Sequence, residues 1–203
     1  MILAALLMTV QVAAQDPRLE RLDPDTRAGV TAIVDSARGV GLPVEPLVQR
    51  ALEGATKGAP GARIVAAVRR LTVDLDAARL ALGTTASAAE LEAGVAALRA
   101  GATPQILAHL RDLRRPPLTM ALSVLADLVA SGVPADSAAA AVLALAPKAR
   151  DADLVEFRRA VERDIALGAP PGAATSVRLN AGALDVTNAS SGNPGTPPRP
   201  RRP

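Results

Sequence analysis

Gly132-Val133-Pro134 separates two apolar stretches of helical period, and the same pattern recurs along the chain. Glycine takes the left-handed conformation that ends one helix, and proline suits the first turn of the next helix. Five such joints predict an ordered series of helical hairpins. The other four joints are Gly41-Leu42-Pro43, Gly58-Ala59-Pro60, Gly168-Ala169-Pro170 and the longer variant Gly101-Ala102-Thr103-Pro104.

The segments between the joints carry apolar residues at helical spacing, and they lack the sustained alternation that is typical of strands. Ser87 and Glu90 form a capping-box pattern ahead of one such segment. The sequence therefore predicts an all-α fold of roughly eight short helices, arranged as irregular stacked hairpins. The longest apolar line steps by four and three residues through Ile64, Val68, Leu71, Leu75, Ala78 and Leu82.

A weaker internal similarity favours a degenerate helical repeat, as in a solenoid. Residues 64–71 resemble residues 106–113, and residues 154–161 are a looser copy, at separations of 42 and 48 residues. These separations are close to the length of HEAT and armadillo repeats, but the signatures of those families are absent and no family is identified. The alternative is that alanine-rich amphipathic helices resemble one another through composition alone.

The composition excludes several kinds of chemistry. The chain has no Cys, Trp or Tyr, and His109 is its single histidine. Disulfides, thiol nucleophiles, iron–sulfur clusters and histidine-rich metal sites are therefore excluded. Aromatic stacking on single-stranded nucleic acid is disfavoured for the same reason. We expect no cofactor and no sequence-specific nucleic-acid partner.

The high isoelectric point, about 10.4, overstates how basic the chain is. The net charge is only +3, because few groups titrate between the carboxylates and lysine. Residues 180–203 contribute +2 of it, from Arg199, Arg201 and Arg202 against Asp185, which leaves about +1 for residues 15–179. The body of the protein is therefore not predicted to bind polyanions through its overall charge.

The two ends of the chain differ from its body. Residues 1–14 form an uncharged apolar run that ends in small residues, which predicts a signal peptide cleaved between Ala14 and Gln15 and an exported, periplasmic or secreted protein. The usual positively charged start is missing, so a buried N-terminal helix and an uncleaved anchor stay open. Residues 180–203 are rich in Pro, Gly, Ser and Asn, which predicts a disordered tail after a helical domain over residues 15–179.

Arginine doublets recur at intervals of about 45 residues, close to the spacing of helical repeats. Stacked hairpins would place them in a stripe that contacts carboxylates or phosphates of a partner. The alternative is an ordinary solvated surface in a chain that uses arginine in place of lysine. The doublets are Arg69-Arg70, Arg114-Arg115 and Arg158-Arg159.

No catalytic residue is predicted. The chain lacks the nucleophile elbow that a serine hydrolase would need to use His109. Carboxylates two residues apart on a helix point away from each other. The sequence therefore predicts a non-enzymatic binding or scaffolding module outside the cytoplasm, with a protein partner. Two alternatives stay open: a hydrolase or lyase with carboxylates from distant helices, and a peripheral membrane-surface protein. The oligomeric state is left open.

Overall fold

The computed structural model describes the backbone of residues 16–191 and the side chains of residues 16–181. Over this range the chain forms one 3₁₀ helix and nine α-helices, with no strand, which confirms the all-α prediction. The 3₁₀ helix is Pro17–Arg21. The α-helices are α1 Pro24–Gly39, α2 Glu45–Thr56, α3 Gly61–Leu82, α4 Ala88–Ala100, α5 Pro104–Leu113, α6 Thr119–Ala130, α7 Ala135–Leu145, α8 Asp151–Ala166 and α9 Pro171–Ser191.

The predictions for the two ends fall mostly outside this range. The signal peptide over residues 1–14 and its cleavage between Ala14 and Gln15 lie outside the described residues. Helix α9 continues past residue 180, where the sequence predicts that a disordered tail begins, as far as Ser191. The remainder of that predicted tail, residues 192–203, is outside the described part of the chain.

The five glycine–proline joints are helix–helix corners of one kind. At the fourth of them, after the end of α6, the Gly132 N–H donates to the Val129 carbonyl at 2.9 Å and the Val133 N–H donates to the Leu128 carbonyl at 3.1 Å. These two hydrogen bonds define a Schellman motif, which needs a left-handed residue at the glycine. Gly132 has a φ of 91°, and the same pair of hydrogen bonds and a positive φ occur at the other four corners. The prediction of hairpin corners is confirmed.

The chain divides into two compact units, Met1–Ala77 and Ala78–Pro203, and the boundary falls within α3. In the described part of the first unit, the 3₁₀ helix packs against α1 and α2, and these two helices contact each other. Gly54 brings α2 close to the first half of α3, because a Cβ there would lie 2.9 Å from Cγ1 of Ile64. Leu47, Val48 and Ala51 bury the inner face of α2.

The second unit contains three stacked hairpins, α4–α5, α6–α7 and α8–α9. Helices α4, α6 and α8 contact one another in order and form a first layer, and α5, α7 and α9 form a second layer in the same way. The corners line one edge of the stack: a Cβ at Gly101 would lie 3.6 Å from Cβ of Ala135, and one at Gly132 would lie 3.6 Å from Cγ of Pro171. The three helices of the first layer therefore run in the same direction.

This stacking corrects the repeat length that the sequence similarity suggests. The first-layer helices begin 31 and 32 residues apart, at Ala88, Thr119 and Asp151, and their corner glycines are 31 and 36 residues apart. The structural repeat is therefore 31 to 36 residues and not 42 to 48. The similar segments 106–113 and 154–161 lie in α5 and α8, which belong to different layers. Their likeness reflects a shared amphipathic pattern, because equivalent helices of a repeat occupy the same layer.

Candidate functional site

The arginine doublets fall into two kinds of environment. Arg114 and Arg158 are partly buried and bind other parts of the second unit, whereas their neighbours Arg115 and Arg159 are exposed. The third doublet, Arg69-Arg70, is exposed on the part of α3 that belongs to the first unit. The exposure of each arginine therefore depends on how its helix packs within its unit and not on the spacing of the doublets along the sequence.

Arg114 joins the ends of three helices. It follows the last residue of α5, and its guanidinium donates to the carbonyl oxygens of Ala146, at 3.1 Å, and of Ala149, after the end of α7. It also pairs with the carboxylate of Asp151, the first residue of α8, and only 13% of its side chain is exposed. Since the carbonyls at a helix end lack partners within the helix, an arginine is well suited to satisfy them. Arg114 is therefore committed to holding adjacent hairpins together.

Arg158 joins neighbouring first-layer helices. Its Nη1 donates to Oε1 of Glu162 at 2.9 Å, one turn further along α8, and its Nε lies 3.5 Å from Oδ2 of Asp127 on α6. A quarter of its side chain is exposed. With two carboxylates already in contact, Arg158 carries little unneutralised charge for an external anion.

The first-layer helices present equivalent surface positions when residues are counted back from each corner glycine. Glu92 of α4 and Arg159 of α8 each lie nine residues before that glycine, and both are exposed. Ala96 and Arg163 each lie five residues before it and are also exposed. On α6 the corresponding exposed residue is Asp127. We name the surface formed by these positions on α4, α6 and α8 the first-layer face.

At the positions nine and five residues before the corner glycines, the charges on the first-layer face differ from helix to helix. Its α8 edge carries Arg159 and Arg163, which are one helical turn apart, and its α4 edge carries Glu92. Within the described chain, no hydrogen bond or ion pair holds any of these three side chains. Two adjacent guanidinium groups can bind a carboxylate jointly, and the opposite edge can bind a cation. Sequence reasoning missed Glu92 and Arg163, although counting from the corner glycine would have revealed both.

Glu90, a buried carboxylate on α4, has a structural role. Glu90 is 4% exposed, and its Oε2 accepts the Ser87 N–H and the Ser87 hydroxyl, both at 2.8 Å. Its Oε1 accepts the N–H of Leu118, just before α6, at 2.8 Å. Burial by itself raises the pKa of Glu90, but the hydrogen bonds from Ser87 and Leu118 outweigh it and hold the pKa below the usual range. The predicted capping box is present and also links α4 to α6.

Asp151 and Asp153, two residues apart at the start of α8, have separate partners. Asp151 binds Arg114, and Asp153 caps α8 by accepting the Arg150 N–H at 2.8 Å while its carboxylate pairs with the Arg150 guanidinium. Asp153 has a lowered pKa because of this side-chain hydrogen bond with Arg150 and the backbone hydrogen bond. These contacts explain the two acidic residues as parts of the hairpin junction and the helix cap.

Several other features of the described chain bear on catalysis, metal binding and membrane insertion. His109 is exposed on α5. Over the part of the chain that the structure describes, no three side chains of the kinds His, Cys, Asp and Glu come together as a metal site, and no helix is both long and apolar enough to cross a bilayer. A shallow depression of about 400 Å³ follows the outer side of α1 in the first unit; it is lined by Pro24, Arg27, Ala28, Thr31, Ala32 and Asp35.

Comparison of the chain with known protein families, with curated proteins and with solved structures found no match.

Proposed function

We propose that the protein is an exported, non-enzymatic binding or scaffolding module, and that the first-layer face of its second unit is the surface that contacts a protein partner. The observation that carries the proposal is the register of the three first-layer helices. The position five residues before each corner glycine is exposed on α4, α6 and α8, so one surface crosses three parallel helices. Stacked hairpins bind extended partners through surfaces of this type.

The charges on this face define the partner chemistry. Arg159 and Arg163 lie on successive turns of α8 with exposed side chains, and Glu92 lies across the face on α4. A partner with a carboxylate opposite α8 and a cation opposite α4 would make charge-assisted hydrogen bonds at both edges. Arg158 would keep the face rigid because it joins α8 to α6, and Arg114 would hold the start of α8 against the ends of α5 and α7.

Export is the second part of the proposal, and it rests on the apolar run of residues 1–14. Fractionation of the native host, followed by intact-mass measurement, tests it directly. We expect the protein outside the cytoplasm with Gln15 as its first residue. A soluble cytoplasmic protein that retains Met1 would contradict export.

To test binding, the exported protein is immobilised and exposed to envelope extract or culture medium. The protein that it captures is then identified and purified. The double variant Arg159→Glu with Arg163→Glu should weaken binding of that purified partner at least about tenfold. The matched control is Arg69→Glu with Arg70→Glu, which reverses an exposed doublet of the first unit and should leave the affinity unchanged. Equal affinity of both double variants would contradict the choice of surface.

A further inference from the structure

Nine residues before their corner glycines, the α4 and α8 edges of the first-layer face carry opposite charges; its centre carries Asp127 on α6, whose Oδ2 lies 3.5 Å from Nε of Arg158. A two-fold axis that lies in the plane of the interface and runs along α6 would place α4 of one copy over α8 of the other, with both helices pointing the same way. Residues at the same distance from their corner glycines would then face each other. Glu92 would lie opposite Arg159 of the second copy, and the symmetry would repeat this contact on the other side of the axis.

Side-chain size follows the same pattern. Arg163 would face Ala96 of the second copy, since both lie five residues before the corner glycine. Glu156 would face Ala89, since both lie twelve residues before it. All four residues are exposed. Arg163 and Glu156 of α8 would therefore each meet an alanine of α4, and this pairing of large with small residues permits close packing of two surfaces.

The available area is sufficient for a weak dimer. Three helices spaced about 10 Å apart, each about 20 Å long, present on the order of 600 Å² per copy. The pair would bury on the order of 1,200 Å² in total, at the lower end of specific interfaces. We propose that the partner of the first-layer face is a second copy of this chain, in a two-fold dimer held by the Glu92–Arg159 pairs. This inference rests on the proposed role of that face.

Sedimentation velocity on the full chain, at concentrations up to about 100 µM, tests the proposal. The unmodified protein should be dimeric at the upper concentrations and should dissociate in high salt, because exposed ion pairs are screened. Glu92→Arg or Arg159→Glu alone should weaken the dimer at least about tenfold, since each brings like charges together twice. The combined exchange, Glu92→Arg with Arg159→Glu, should restore the dimer by inverting each pair.

A matched control is Glu20→Arg, which reverses an exposed charge of the first unit and should leave the dimer intact. A monomeric unmodified protein, or a dimer that the single exchanges leave unchanged, would overturn the dimer. So would failure of the combined exchange to restore it. If the chain is monomeric while the Arg159→Glu and Arg163→Glu variant loses a different purified partner, the proposed function stands and self-association is wrong. If neither association depends on this face, both proposals are wrong.

Discussion

Replacing Glu90 by alanine tests the link between the first two hairpins of the second unit. Its carboxylate accepts the N–H and hydroxyl of Ser87 at the start of α4 and the buried N–H of Leu118 just before α6. Alanine removes all three contacts while it fills the position with a good helix former. The loss of stability therefore reports on the hydrogen bonds and not on helix propensity.

The expected magnitude follows from the environment of each donor. Leu118 is 2% exposed, so its N–H loses its acceptor without access to water, at a cost of about 2 kcal/mol. Loss of the capping box with Ser87 costs about 1 kcal/mol. The sum is about 3 kcal/mol, which lowers the urea midpoint by about 1.5 M if the denaturant slope is near 2 kcal/mol/M.

Urea unfolding followed by far-ultraviolet circular dichroism measures this change. The control is Glu20→Ala, an exposed glutamate on the 3₁₀ helix, which should change the free energy of unfolding by under about 0.5 kcal/mol. If Glu90→Ala lowers the midpoint no more than this control does, the carboxylate does not hold the hairpins together and the reasoning fails.

The pH dependence of a second variant, Glu90→Gln, gives an independent check. The pKa of Glu90 is lowered in the folded protein, so its ionised form stabilises the fold at pH values above the unfolded pKa of about 4.3. That stabilisation is lost as the pH falls through the folded pKa. The stability difference between the unmodified protein and Glu90→Gln should therefore be constant near neutral pH and should shrink in acid. A difference that grows below pH of about 4 would contradict this assignment.

Three further outcomes are expected. Gly168→Ala should destabilise the protein by about 1–2 kcal/mol, because the φ of 98° is unfavourable for alanine even though a Cβ there would meet no atom. Gly39→Ala, at a helical position without a positive φ, should stabilise the protein by about 0.5–1 kcal/mol. Thermal melts measure both changes. Arg114→Met should lower the free energy of unfolding in urea by about 3 kcal/mol, because it removes the contacts with the end of α7 and with Asp151. The control Arg115→Met, at an exposed arginine, should change it by under about 0.5 kcal/mol. Hydrogen bonds from Arg18 and Gln49 lower the pKa of Glu45 to about 2, so carboxyl-carbon NMR should show its titration midpoint there and a rise after Arg18→Ala.

The features that the sequence predicted correctly are those set by short stretches of chain. A corner needs a glycine with positive φ and a proline that suits the first turn, and both residues are visible in Gly132-Val133-Pro134. The capping box needs only Ser87 and Glu90, three residues apart. Since these motifs satisfy backbone groups within a few residues, they need no knowledge of what packs against the helix.

The features that the sequence left undecided depend on contacts between distant residues. The second contact of Glu90, with Leu118, and the contacts of Arg114 with the end of α7 exist only because hairpins stack. For the same reason the arginine spacing of about 45 residues did not predict which guanidinium groups are exposed, because the repeat has 31 to 36 residues.

Counting residues back from each corner glycine would have made more of these features predictable from the sequence. The corner glycine fixes where a helix ends, and helices of one layer end at the same edge, so distance from that glycine is a coordinate shared by all three hairpins. In this coordinate, the position seven residues before the glycine is buried in all three helices, although the residues there differ greatly in size. They are Gly94, Leu125 and Val161. The positions nine residues before it hold Glu92, Ser123 and Arg159, which change from acidic to basic across the layer. A degenerate repeat conserves the geometry of its helices and not the type of residue at each position. Counting residues from the corner glycine therefore detects the repeat when similarity between residues does not.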